Sequence, residues 1–203
     1  MISAGMELYN SAMGALPATK LSVEEYLALD RKAEVHSEYI DGELFPLVAA
    51  SMAHSTIILN VLSFLKERLA KTSCRPFPLA RVRASPTKFL IPDGVAVCGE
   101  LALTDEYQDT LTNPKVILEI LSPSTADYDC GEKFILYRKL ESFEEYLLVA
   151  QDKARVEVAR KTNDNRWLIS TYEGLDATVR IESLSVSLPM TEIYDRVNFE
   201  PAS

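Results

Sequence analysis

Glu38, Asp93, Glu119 and Lys133 are the residues of this chain whose types and settings can do chemistry. Three carboxylates in separate strand-like segments, followed by a lysine on an expected helix, can bind a divalent metal and activate a water. Pro92 and Asp93 open the apolar run 93–98, and Glu119 interrupts the apolar run 116–121. Each carboxylate therefore sits where a strand should be mostly buried, which is costly unless it is paired, hydrogen-bonded or metal-bound. That cost is the main physical reason to look for a site.

Several elements must position these groups. Ser22 and Glu25 form a capping-box pattern that opens a short helix through Leu29. Asp41 and Gly42 lie between two β-prone stretches, a hairpin signal flanked by Glu38 and Glu43. Ile58, Val61, Leu62, Leu65 and Leu69 recur at helical spacing and predict a core-packed helix over 55–71. Strands are expected at 79–84 and 87–98, with a turn around Ser85 and Pro86, and at 115–121 after Pro114. A helix over 127–140, a buried strand over 146–149, an antiparallel meander over 154–188 and a last short helix near 191–196 complete the pattern.

The chain has 203 residues, 47% of them hydrophobic, enough for one domain with a sizeable core. We expect a loose leader over 1–20, a single domain over 21–197 and a tail over 198–203. No stretch approaches the roughly 18 consecutive apolar residues of a membrane span, and the start lacks the order of a secretory signal, so the expected location is the cytoplasm. Cys74, Cys98 and Cys130 are odd in number and widely spaced, which reads as reduced thiols. The net charge of −9 opposes general attraction to nucleic acid, so any such contact must use a local basic patch or metal ions.

Helix, three strands, helix, strand, with Pro92 and Asp93 on the second strand and Glu119 on the third, resembles the PD-(D/E)XK nuclease superfamily. A finer pattern is similar to the restriction-endonuclease-like family called Uma-two. It comprises Glu38, Asp41, Gly42 and Glu43; Met52 with His54; Pro92 to Val95; Leu118 to Thr125; Asp129, Lys133 and Tyr137; and Glu145 with Tyr146. The resemblance implies an α/β (α+β) fold, a central mixed sheet flanked by helices, with an N-terminal hairpin and C-terminal antiparallel strands. The strict motif would place a lysine two residues after Glu119, where this chain has Leu121. In the resembling family that lysine sits on the following helix, and Lys133 matches it.

On this resemblance Asp93 and Glu119 are the expected ligands of Mg²⁺, with Mn²⁺ as a substitute and the backbone carbonyl of Ile120 as a third ligand. Paired strands lie about 4.8 Å apart, so two carboxylates on one face can share a hard cation. The alternative is a pair of edge-strand or salt-bridged acids. Lys133 would orient or deprotonate the attacking water, aided by a pKa lowered by burial, or stabilise developing charge; the plainer reading is a surface lysine paired with Asp129 at i−4. Glu38 would support the site, or be a solvent-facing hairpin acid. His54 is either a phosphate contact and acid or base, or a capping residue. Arg81 and Arg83 are candidate phosphate contacts on a strand face that otherwise reads as solvated. Tyr137 reads as core.

The resulting expectation is a Mg²⁺-dependent nuclease acting on phosphodiester bonds, chiefly in DNA, as a homodimer. The alternative is a binding or assembly module that keeps the fold with little or no catalysis, motivated by the acidic charge.

Overall fold

A computed structural model describes residues 20–122 and 125–199. All but the last residue of the expected leader and most of the expected tail fall outside these residues. Helix α1 (Val23–Asp30) starts at the anticipated capping box, with the Ser22 side chain accepting from the Glu25 N–H and the Glu25 side chain from the Ser22 N–H. Strands β1 (Ser37–Ile40) and β2 (Glu43–Pro46) form the expected hairpin. Asp41 and Gly42 both have positive φ at its turn, and a Cβ on Gly42 would come within 2.6 Å of Lys20. Glycine is therefore required there.

Helix α2 (Met52–Arg68) is followed by β3 (Cys74–Pro78), β4 (Arg81–Ser85), β5 (Lys88–Leu90), β6 (Gly94–Cys98), β7 (Thr110–Leu111) and β8 (Val116–Leu121). A continuous helical segment comes next, made of α3 (Ala126–Tyr128), a π-helical turn (Asp129–Lys133) and α4 (Phe134–Tyr137). Then follow β9 (Glu145–Ala150), β10 (Arg155–Lys161), β11 (Trp167–Glu173), β12 (Thr178–Ile181), β13 (Val186–Pro189) and α5 (Met190–Ile193).

The strands make a five-stranded sheet in the order β2-β1-β5-β4-β7, a six-stranded sheet in the order β11-β10-β9-β8-β6-β3, and the hairpin β12-β13. The expected meander is thus divided, with β10 and β11 extending the large sheet and β12 and β13 standing apart. Strands β8 and β9 run parallel, joined by the helical segment, while β6 lies antiparallel to β8. Alternation along β8 sends Val116, Leu118 and Ile120 into a core shared with α2 and the β12-β13 hairpin. Ile117 faces a second core with Leu136, Tyr137 and Tyr146. Glu145 is fully buried and accepts the N–H groups of Glu182 and Ser183, anchoring that hairpin to β9.

Two readings of the sequence are corrected. The single strand expected over 87–98 is two strands in two different sheets, because Pro92 offers no N–H to continue a ladder. The strand β3 went unread because it carries Pro76 and Pro78; as an edge strand it tolerates both.

Cys74 and Cys98 are not reduced thiols but a disulfide between register partners on β3 and β6, leaving Cys130 free. Spacing along the chain could not show a pairing made across two strands. With its two cysteines 24 positions apart, this cross-link should contribute about 3.5 kcal/mol by restricting the unfolded chain. Urea unfolding with and without dithiothreitol should show a stability loss of about that size, and equal midpoints would show that the link is energetically silent.

Arg31 bridges Asp105 and Asp109, fastening α1 to the loop before β7. Hydrogen bonding from Arg31 is the main cause that holds the Asp109 carboxyl down to about 2, against burial. Because the folded pKa lies below the ordinary 3.8, this contribution is present above about pH 4 and is lost as pH falls toward 2. Asp109→Asn is expected to be less stable than the parent at neutral pH, and melting curves taken across the acid range should converge below about pH 2.

Candidate active site

The four residues picked from the sequence meet where the two sheets adjoin. Glu38 comes from β1 of the small sheet, Glu119 from β8 of the large sheet, Asp93 from the link 91–93 that crosses between them, and Lys133 from the π turn. The link is held by its own amides. The Ile91 N–H donates to Glu38 Oε1 at 2.9 Å and the Asp93 N–H to Glu119 Oε2 at 3.3 Å. Pro92 between them has no N–H to place, so two side chains take the part of the missing ladder partners.

Asp93 directly precedes β6, one step beyond the Gly94–Leu118 register pair, and this brings it opposite Glu119. Its Oδ2 accepts the Ile120 N–H at 2.7 Å and its Oδ1 lies 2.9 Å from His54 Nε2. His54 is in the first turn of α2, where the Ser51 side chain caps its N–H. His54 is therefore both a helix-start residue and a partner of the candidate ligand.

Lys133 Nζ lies 3.0 Å from Glu119 Oε1, 3.1 Å from Asp129 Oδ1 and 3.2 Å from Glu38 Oε1. All four groups are under 10% exposed. Glu38 is consequently no solvent-facing hairpin acid, and Lys133 is no surface lysine. Burial would lower the Lys133 pKa, as anticipated from the sequence, but Glu119, Glu38 and Asp129 outweigh it and hold the ammonium well above its ordinary value. This corrects the expectation of a lysine poised as a base. For Glu119, burial raises the carboxyl well above its usual range, opposed by Lys133 and reinforced by Asp129, Asp93 and Glu38.

Three contributors were not assigned to the site from sequence. Asp129 was seen only as an i−4 partner of Lys133, yet it is buried within the cluster. Tyr128 donates to Glu38 Oε2 at 3.3 Å. Tyr137 is core, as read, but its hydroxyl also reaches Glu119 Oε1 at 3.4 Å. The signal available was the period of the helical segment, which puts 129, 133 and 137 on one side.

Arg81 and Arg83 do not join them. Arg83 is the register partner of Phe89, itself the partner of Tyr39, so both arginines lie on the face of the small sheet opposite Glu38. Arg81 is buried there, bonded to Asp30, Tyr26 and Thr110. The face read as solvated is covered by α1.

The donor set is suited to a hard cation. Among the described residues no group of three or more His, Cys, Asp or Glu side chains is arranged to hold a metal. Mg²⁺, however, commonly uses one or two carboxylates and keeps several waters. Asp93 and Glu119 supply two adjacent carboxylates, and both oxygens of Asp93 and Oε2 of Glu119 each keep a second lone pair, while Glu119 Oε1 already accepts from Lys133 and Tyr137. Three buried carboxylates face one lysine and Asp93 lies beside them on His54, an excess of negative charge that a divalent ion would balance.

Two mixed sheets with a βαβ unit and acidic residues at their junction define the restriction-endonuclease-like class of fold. A solved structure described as a putative nuclease belonging to DUF820, from Anabaena variabilis, superposes with a TM-score of 0.71 at 20% identity, covering 86% of this chain and 98% of that one. The chain belongs to the Uma2 family, described as "Putative restriction endonuclease", whose pattern matches residues 23–191. Among its relatives is the uncharacterized protein sll1609 of Synechocystis sp., 31% identical over 169 residues, which cover 82% of this chain and 95% of the relative. Another is slr1290 of the same organism, 29% identical over 189 residues, covering 90% and 96%. Among the described residues, no helix is long and apolar enough to cross a membrane.

Proposed function

We propose that this protein is a divalent-metal-dependent nuclease that hydrolyses phosphodiester bonds in DNA. The observation that carries the reading is the junction cluster itself, in which Glu119 accepts the Asp93 N–H and Asp93 accepts the Ile120 N–H while Lys133 stands over Glu119. Asp93, Glu119 and the Ile120 carbonyl are the groups that would hold Mg²⁺ or Mn²⁺. Such an ion, when bound, neutralises charge on the transferring phosphoryl group and acidifies a bound water.

The residues of the chain do the rest. Lys133, kept charged by its carboxylate neighbours, is a hydrogen-bond donor that orients the attacking water and stabilises negative charge as the phosphorus–oxygen bond breaks. Glu38 and Asp129 fix the lysine stem, leaving little freedom to reorganise. His54 steadies the Asp93 carboxylate from the α2 side. Among the described residues there is one such cluster, so a pair of chains would allow both strands of a duplex to be cut in one encounter, and the edge of β11 is a place where a second copy could pair.

Calorimetric titration of Mn²⁺, with plasmid and single-stranded DNA cleavage on the same preparation, tests the reading. Binding and cleavage that both require Asp93 support it. A protein that binds neither metal nor DNA would instead be a module that keeps the fold without the chemistry.

A further inference from the structure

The parallel strands β8 and β9 end side by side at Leu121 and Ala150, and the crossover helix between them begins at Ala126. In sheets of this kind the crevice outside the carboxyl ends of parallel strands is where ligands bind. A cleft of about 390 Å³ lies there, within the size range of small-ligand sites. Leu121, Leu148 and Ala150 contribute its apolar floor, Cys130 lines the helix side, and Lys153 stands exposed at the rim.

This cleft adjoins the candidate active site. Leu148 is the register partner of Glu119, and Leu121 follows Glu119 by two residues on the same face. From Glu119 across β9 to Glu157 on β10 is two strand spacings, roughly 10 Å. Gln151, at the end of β9, accepts from the Ser51 hydroxyl at 2.9 Å, tying this end of the sheet to the helix that carries His54.

The charges sort what the cleft can accept. Arg155 is engaged by Glu157, and Asp152 adds another negative charge, so a phosphate deep in the cleft would be opposed. An uncharged group fits the apolar floor, and the exposed ammonium of Lys153 can meet a phosphate at the edge. We propose that this cleft takes the nucleotide next to the cleaved bond, with base and sugar over Leu121, Leu148 and Ala150 and a flanking phosphate at Lys153. The proposal rests on the nuclease reading above.

Cys130 provides a native reporter, since the other two cysteines are joined in the disulfide. Burial, then Glu157, Asp129 and Asp127, raise its pKa, so alkylation should be followed in mildly alkaline buffer. The full-length protein is treated with iodoacetamide in Ca²⁺ buffer, with and without a short single-stranded deoxyoligonucleotide whose Kd is measured by fluorescence anisotropy. At a concentration about ten times that Kd, alkylation of Cys130 should slow about tenfold, and Lys153→Glu should weaken both binding and protection. Oligonucleotide that binds and is cleaved in Mg²⁺ while Cys130 reacts at its free rate would overturn the cleft assignment and leave the nuclease reading standing. Absence of both binding and cleavage would remove the two together.

Discussion

Lys133→Met is expected to cost about 3–5 kcal/mol of stability near neutral pH, the penalty for removing one partner of a buried charge cluster. The ammonium contacts Glu38, Glu119 and Asp129, and none of the four groups is more than slightly exposed. Met fills the volume of the lysine stem but leaves three carboxylates facing one another. Two conditions should restore the variant. Burial already raises the folded-state Glu119 pKa, and loss of Lys133 raises it further; the penalty applies above the unfolded value and fades as pH falls toward about 4. A divalent cation can also replace part of the missing positive charge. Urea unfolding of both proteins at neutral and mildly acid pH, with and without Mg²⁺, measures each effect. A variant as stable as the parent at neutral pH would mean that the carboxylates do not need the ammonium.

Asp93→Ala is expected to abolish Mn²⁺ binding and to lower DNA cleavage by about 10³-fold or more. Lewis-acid stabilisation supplies several kcal/mol to such a transition state, and each 1.36 kcal/mol is a factor of ten. The carboxylate also accepts the Ile120 N–H, whose loss as a buried donor costs about 1–3 kcal/mol. Activity must therefore be compared with folding on the same sample. Asp93→Asn separates the two, because its side-chain oxygen can still accept the amide bond while the charge is gone. Asn should melt closer to the parent than Ala does and yet cleave no better. Cleavage by Asp93→Asn at the parental rate would remove Asp93 from the reaction.

Much of this arrangement was legible in the sequence because the local signals were strong. The capping box at Ser22, the Asp41 and Gly42 turn and the period of the α2 residues each act over a few positions. The expense of burying Glu119 in an apolar run marked it without any partner in view. What could not be read were relations between distant segments. Arg81 alternates like a surface strand residue, and only the packing of α1 over it reveals a buried ion pair with Asp30. Cys74 and Cys98 meet because β3 pairs with β6, a register that two prolines in β3 conceal. The charge state of Lys133 depends on three acids brought from β1, β8 and the π turn, so a neighbour-by-neighbour reading gave the wrong direction.

The link 91–93, with its amides held by Glu38 of one sheet and Glu119 of the other, also bears on when the chain acquires any activity. Its partners are separated by 53 and 26 residues along the chain, and Lys133 lies still further from Glu38. Contacts of such span form late, after the loops between them have closed. A partly folded chain, with either sheet built alone, holds fragments of the cluster and no site. The cluster is therefore assembled as a unit, with the last stage of folding.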